Sequence, residues 1–402
     1  MIKITDKLKC CGCSACVQVC PQQCISFDED KQGFRYPMVD ISKCIKCGLC
    51  EKVCPCLTQN KPLKPQKVYA AINKNDEIRN ESSSGGMFTF LAESVINKGG
   101  VVFGARFNEK WEVIHDYTET IQGLDAFRGS KYVQSVVGTS YIDAQRFLKS
   151  GRRVLFSGTP CQIAGLKHFL RKDYENLLTV DVVCHGVPSP LVWRTYLKET
   201  NKKIRAKRVD GKNTVLSDVS LKEMPVITGI SFRDKTNGWK KYGFVIHNTI
   251  KELVHTPHYE DSYFKGYLNS LYSRPICHNC MFKSGCGNSD LSIADFWGVD
   301  KVLPDFYDDK GCSLVLVNTS KGVQSLSENR QLAIAEVSYD SILKHNSAIV
   351  KSHLKHKNSE KFYRLLFKRK SVTFAVERCL SDNLYKRIIK IIKSIIKRIL
   401  HR

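Results

Sequence analysis

Two copies of one cysteine run, beginning at Cys10 and again at Cys44, constrain this chain more than any other feature of it. Cys10, Cys13, Cys16 and Cys20 are followed by Pro21, and Cys44, Cys47, Cys50 and Cys54 by Pro55. Both copies spell C-x2-C-x2-C-x3-C-P, the spacing that lets one short loop set three thiolates around an iron–sulfur cube. Recurrence of the whole pattern marks an internal repeat rather than a chance cluster. Thiolates are soft ligands that select iron–sulfur clusters or zinc, and Gly12 and Gly48 let backbone N–H groups approach cluster sulfurs. Zinc modules favour paired C-x2-C hooks across a longer loop, unlike this triple hook with its trailing Cys-Pro. Of eighteen cysteines in 402 residues, eleven fall before residue 57, too uneven a distribution for a secreted disulfide scaffold.

The repeat resembles the two-cluster ferredoxins, in which the fourth cysteine of each run ligates the other cluster. That resemblance implies an α+β ferredoxin-like module over residues 1–60, with one 4Fe-4S cluster on Cys10, Cys13, Cys16 and Cys54. The other would take Cys44, Cys47, Cys50 and Cys20. Cys11, Cys24 and Cys56 fall outside the pattern and read as packing thiols. Between Asn60 and Lys67, two prolines and three lysines carry linker chemistry, so 61–67 is expected to separate the module from the larger body.

The length calls for more than one domain. No apolar h-region follows Met1 and no run of about 18 apolar residues occurs, which argues against secretion and against a membrane span. A cytoplasmic protein is expected. The formal charge of +24 raises the question of nucleic acid, but residues 361–402 alone hold 13 Lys and Arg against two acidic residues. Without a nucleic-acid fold signature, no nucleic-acid partner is expected.

From residue 68 to about 370, short apolar runs alternate with helical patterns, the mark of a larger α/β domain. Val68 to Ile72 reads as a strand. Ser82-Ser83-Ser84-Gly85-Gly86 then precedes a helix through Phe88, Leu91, Ala92 and Val95, where free N–H groups and the helix dipole suit an anion. A simple capped helix start is the plainer reading. Arg153 to Phe156 and Leu177 to Val183 read as strands, with Cys161 and Cys184 each just past a carboxyl end, the edge where open α/β sheets bind ligands. Cys277-x2-Cys280 and Cys286 lie in a polar loop before the strand-like Leu291 to Phe296. Two ligand sets fit the spacing: Cys161, Cys184, Cys277 and Cys280 around a third 4Fe-4S cluster, or Cys277, Cys280 and Cys286 with a distant fourth ligand around zinc. Gly129 to Ser135 forms a loop with a cation and a phenol. Ile230 to Asn248 reads as a hairpin turning at Asn237-Gly238, with Trp239 and Tyr242 expected in the core.

Taken in order, the repeat, SSSGG, GSKYVQS, GTPCQIAGL, VCHGVPSP and CHNC...DLSIADFWGVD resemble the coenzyme F420 hydrogenase/dehydrogenase beta-subunit family over roughly residues 1–300. The resemblance implies a flavin-binding iron–sulfur oxidoreductase. It places Ser83, Ser84, Gly85 and Gly86 near an FAD, with Lys131 and Tyr132 beside its reactive part, and it favours Cys161, Cys184, Cys277 and Cys280 as ligands of the third cluster. The expected activity is transfer of electrons from the ferredoxin-type clusters through the body cluster to FAD and on to an unidentified substrate, with a donor such as a ferredoxin. A non-enzymatic electron-relay subunit is the alternative. Cluster exposure predicts that activity requires anaerobic handling.

Residues 381–402 lie beyond the resemblance. Ile388, Ile391, Ile392, Ile395 and Ile399 share one helical face and Lys386, Lys390, Lys393 and Lys397 another, a basic amphipathic tail suited to the inner membrane surface or to packing on the body.

Overall fold

The computed structural model describes residues 1–210, 227–248, 252–327 and 330–381 of the 402. The expected tail helix lies outside the described residues, apart from Ser381.

The first 60 residues form the small α+β module. Short helices Ala15–Gln18 and Leu49–Lys52 follow the two cysteine hooks, and β1 (Ile25–Glu29) pairs antiparallel with β2 (Arg35–Val39). The segment after it is held along the larger domain: Leu63 N donates to Ser284 O at 3.0 Å, Gln66 N to Val317 O at 2.7 Å, and Asn60 Nδ2 to Cys286 O at 3.1 Å. Its composition reads as solvated spacer, yet its backbone is fixed by these bonds.

The larger domain is built on one eight-stranded sheet: β3 (Lys67–Asn73), β4 (Val101–Phe107), β5 (Val113–Thr118), β6 (Val154–Gly158), β7 (Leu177–Val182), β11 (Leu291–Asp295), β12 (Ser313–Val317) and β13 (Leu332–Glu336). The order is β13-β3-β12-β11-β7-β6-β4-β5. Its centre, β11-β7-β6-β4, is parallel and both flanks are antiparallel. The central strands carry runs such as Val101–Phe103 and Val154–Phe156, buried throughout, because helices or loops cover both faces of a parallel sheet. Between β6 and β7 runs the helix Pro160–Leu170, opened by Pro at its first position and a Thr159/Gln162 capping box and closed by Arg171 in the left-handed region.

A second sheet, β8 (Gly229–Asp234), β9 (Gly243–His247) and β10 (Glu252–Pro257), is antiparallel. It packs aromatic residues Phe232 and Phe244 against Trp193, Tyr263 and Phe264. The expected pairing of β8 with β9 is present, but the chain does not return directly at Asn237-Gly238. Trp239 N bonds Asp309 O at 2.7 Å, and its buried ring stacks on Trp297 at 4.9 Å, so the turn is drawn out by an indole seeking the core. Helices Ser359–Arg369 and Val372–Leu380 close this side, and the buried core runs on past residue 370 through Val372, Ala375 and Val376.

Candidate metal centres and cofactor site

Cys20, Cys44, Cys47 and Cys50 line one pocket of about 360 Å³, counting its open mouth, together with Cys24, Ile45 and Lys46. Cys47 is exposed. Cys24 Sγ lies 3.4 Å from Cys20 Sγ, so this unpaired thiol is part of the same wall.

The other four module thiols are packed inward. Cys10, Cys13 and Cys16 are buried. Burial, then the neighbouring Cys10 and Cys54, pushes the Cys16 thiol up. Cys13 is hydrogen-bonded to Cys11, which favours its thiolate, yet burial and the charges of Cys16 and Cys54 leave it raised. A buried thiolate without a cation is unfavourable, so crowded thiols of this kind await a positive centre, which iron supplies. Both fourth cysteines thus lie with the triple hook of the other copy.

The edge of the larger sheet gathers the body cysteines. Cys161 sits in the first turn of helix Pro160–Leu170 after β6, and Thr159 Oγ1 lies 3.1 Å from its Sγ. Cys184 follows β7, and Lys283 Nζ donates to its carbonyl at 2.6 Å. Cys277 lies within and Cys280 just after the turn Pro275–Asn279. All four border one cavity of about 820 Å³, open mouth included, and Cys11 of the module borders it with them. Burial, then the charge of Cys161, pushes Cys184 up to about 12, and burial followed by Cys161 pushes Cys280 up to about 11. Cys277 is raised by burial and then by Cys184. Cys286 is buried but does not border the cavity. Among the described residues no three His, Cys, Asp or Glu side chains are drawn together as a lone ion would require; these thiols border open space.

Cys11 is the residue that spacing missed. It lies 5% exposed in the same packed cluster as Cys13, Ile276 and the partly buried Cys56, Cys161, Cys277 and Cys280. Hydrogen bonding to Cys11 is the first cause of the raised Cys161 thiol. No motif could have found it, because its neighbours are more than a hundred residues away in sequence.

A second constellation assembles around the serine–glycine loop. Ser83 Oγ accepts from Ser130 N at 2.7 Å, Ser84 Oγ donates to Cys312 O at 2.8 Å, and Gly85 N donates to Ser313 Oγ at 3.0 Å. A Cβ on Gly85 would meet Ala71 O at 2.3 Å, so the loop must pass close against β3 and β12. Gly86, in the left-handed region at φ 84°, starts helix Met87–Ile96 with no side-chain cap, leaving first-turn N–H groups free for an anion. Lys131 Nζ donates to Arg128 O and Gly129 O, and burial pulls it down to about 7. Lys235 Nζ donates to Ser84 O at 3.3 Å and Lys310 O at 2.8 Å, and burial lowers it to about 8.

Arg233, on β8, ties this site together. It forks onto Asp295 at 2.7 and 3.0 Å, donates to Tyr132 Oη at 3.1 Å and Ser83 O at 3.2 Å, and lies over the Tyr242 ring at 4.1 Å. Its Nε is buried with no hydrogen-bond partner. Buried cations served mainly by carbonyls, an orphaned N–H and an uncapped helix start make a donor set that fits an anionic cofactor. None of Ser83, Ser84, Gly85, Gly86, Lys131 and Tyr132 borders the cysteine cavity. Aromatic rings connect the two places: Tyr267 lies 5.2 Å from Tyr132 and 5.0 Å from His185, which follows Cys184.

Residues 9–57 match the family model described as a 4Fe-4S dicluster domain. Residues 151–339 match the model described as the C terminus of the coenzyme F420 hydrogenase/dehydrogenase beta subunit. No curated protein matches the chain. Among solved structures, a chain of the xenon-derivatised F420-reducing NiFe hydrogenase complex from Methanosarcina barkeri aligns at a TM-score of 0.47 and 15% identity, covering 76% of this chain and 94% of that one.

Proposed function

Because the chain belongs to the coenzyme F420 hydrogenase/dehydrogenase beta-subunit family and carries a 4Fe-4S dicluster domain, we propose that this iron–sulfur electron-transfer protein is an FAD-dependent oxidoreductase with three clusters. Two would be held by Cys10, Cys13, Cys16 and Cys54 and by Cys44, Cys47, Cys50 and Cys20. The third would be held by Cys161, Cys184, Cys277 and Cys280. Bound clusters supply one-electron steps, and a bound flavin supplies conversion to two-electron chemistry at a substrate.

The observation that carries this reading is the cavity at which Cys11 of the module meets the four body thiols. A module whose inner loop ends against a second set of thiols has the placement of an electron inlet for the larger domain. Cys47, on the solvent side, suits a soluble donor such as a ferredoxin. Ser83, Ser84, Gly85 and Gly86 would receive the anionic part of FAD, with Lys131 and Tyr132 beside its ring system and Arg233 and Lys235 supplying fixed positive charge. Tyr267 and Tyr132 fill the space between cysteines and loop with packed rings and exclude water from it. A cytoplasmic setting follows from the free thiols the clusters need; among the described residues no helix is long and apolar enough to cross a membrane. The C-terminal tail would add contact with an anionic membrane surface.

The test is anaerobic purification of the full chain with iron, sulfide, zinc and flavin measured on one sample. About twelve iron and twelve sulfide per chain with one FAD are expected, as three 4Fe-4S clusters contain, and Cys184→Ser should remove about a third of the iron. Zinc without acid-labile sulfide would overturn the reading. A fully loaded chain that accepts electrons from reduced ferredoxin but passes them to no small acceptor would make it a relay subunit.

A further inference from the structure

Arg274 is buried to 1% exposure at the junction between the module and the larger domain. Its backbone belongs to the body cysteines: Arg274 N donates to Val187 O in the loop after Cys184, and Arg274 O accepts from Cys277 N, each at 2.9 Å. Its side chain belongs to the module. Nε donates to Cys10 O at 2.8 Å, Nη2 to Arg35 O at 2.9 Å and towards Cys10 Sγ at 3.5 Å, and Nη1 to Gln134 Oε1 at 3.1 Å. The guanidinium lies over the Tyr36 ring at 4.4 Å. No carboxylate is among these partners, so a whole positive charge is held in dry surroundings against Cys10 and within reach of Cys11 and Cys277.

Burial and charge act in opposite senses here. The thiols Cys10, Cys13 and Cys16 are buried and Cys47 is exposed. Adding an electron to a cluster in a buried site costs more than in a solvated one, since the extra negative charge loses hydration. Burial by itself would therefore leave the inner site the harder of the two to reduce, and an electron arriving at the exposed site would stay there. A fixed cation beside Cys10 favours the more negative state of whatever the inner thiols hold, with little screening.

We infer that Arg274 is a positioning and charge-tuning residue that reverses this order, so that the inner ferredoxin site, next to the body cysteines, is reduced in preference to the outer one. The inference rests on the cluster assignment above. The exchange it governs moves one electron between two sites, one oxidised as the other is reduced, with no bond made and no proton gained or lost at Arg274. The original electron comes from a low-potential one-electron donor of the ferredoxin class.

The experiment is an anaerobic redox titration of the full chain followed by electron paramagnetic resonance, with Cys47→Ser used to assign the outer signal. Arg274→Gln is expected to shift the inner-to-outer distribution about a hundredfold toward the outer site, which at 59 mV per tenfold is about 120 mV. Gln134→Glu keeps the arginine but sets a carboxylate beside Nη1, and should shift the distribution the same way by about tenfold, or 59 mV. It also covers the case in which Arg274→Gln does not fold. Unchanged inner and outer potentials in variants with full iron and sulfide, or equal movement of both, would overturn the role of Arg274. Absence of sulfide from the unsubstituted protein would instead strike the cluster assignment itself.

Discussion

The two copies of the cysteine repeat have the same spelling and opposite surroundings. At corresponding places, Cys11 is 5% exposed and Ile45 is 60% exposed, while Cys13 is buried and Cys47 exposed. Gly12 and Lys46 also correspond, and both have positive φ, 76° and 56°. A Cβ on Gly12 would meet Arg274 Nη1 and Gln134 Nε2 at 2.8 Å, whereas Lys46 projects into solvent. On the receiving side, a Cβ on Gly165 would meet Cys13 Cβ at 2.8 Å, so helix Pro160–Leu170 presents a flat spot on which the inner loop rests. The ligand pattern requires a loop; the body decides which loop is an interior and which is an inlet.

Substituting ligands should separate the copies most strongly. Cys16→Ser is expected to remove the inner cluster and loosen the module from the larger domain, detected as lost iron and protease cleavage in segment 61–67. Cys47→Ser should lower iron by about one cluster and leave cleavage unchanged. Equal cleavage in both would break the comparison.

Next in size is the backbone position shared by Gly12 and Lys46. Gly12→Ala combines positive-φ strain with overpacking against Arg274 and should cost about 2–4 kcal/mol, read as faster loss of cluster absorbance in denaturant. Lys46→Ala, on the open copy, should change stability by no more than about 0.5 kcal/mol.

Acid should also act on one side only. His115, 6% exposed, accepts from Ser135 Oγ at 2.9 Å and donates to Ser157 O at 3.1 Å, and Ser135 in turn accepts from Gln162 beside Cys161. Burial lowers His115 from 6.5 to about 4. Its neutral form is the one that folding favours, so this contribution is present above pH 6.5 and is lost as pH falls toward 4, by about 3 kcal/mol in full. Inner-cluster loss should accelerate between pH 7 and 5, and His115→Gln should flatten that dependence. An unchanged slope in the variant would remove His115 from the support of this face.

The smallest expected difference is in air. The outer cluster, with Cys47 at the surface, should bleach about tenfold faster than the inner one, equivalent to about 1.4 kcal/mol in activation free energy. Equal rates would mean that burial of Cys10, Cys13 and Cys16 gives no protection from oxygen.

The two hooks, their exchange of fourth cysteines and the strand–cysteine–helix units at Cys161 and Cys184 were legible because each is a local pattern with fixed spacing. Segment 61–67 was legible only as composition, and its hydrogen bonds to Ser284 and Val317 were not. The same holds for Trp239, whose Asn-Gly turn signal yields to burial against Trp297 and a bond from Nε1 to Asp295 at 2.9 Å. Arg233 and Asp295 carried no signal of their own, since their pairing depends on the second sheet lying over the end of β11.

What the sequence determined by itself was ligand chemistry, because iron–sulfur hooks are short enough for spacing to specify them. Which copy faces inward, which spare thiol joins the body cysteines and where an unpaired arginine stands were decided only by the tertiary structure. Those outcomes depend on burial and on charges brought together from distant parts of the chain, and neither is written in local order.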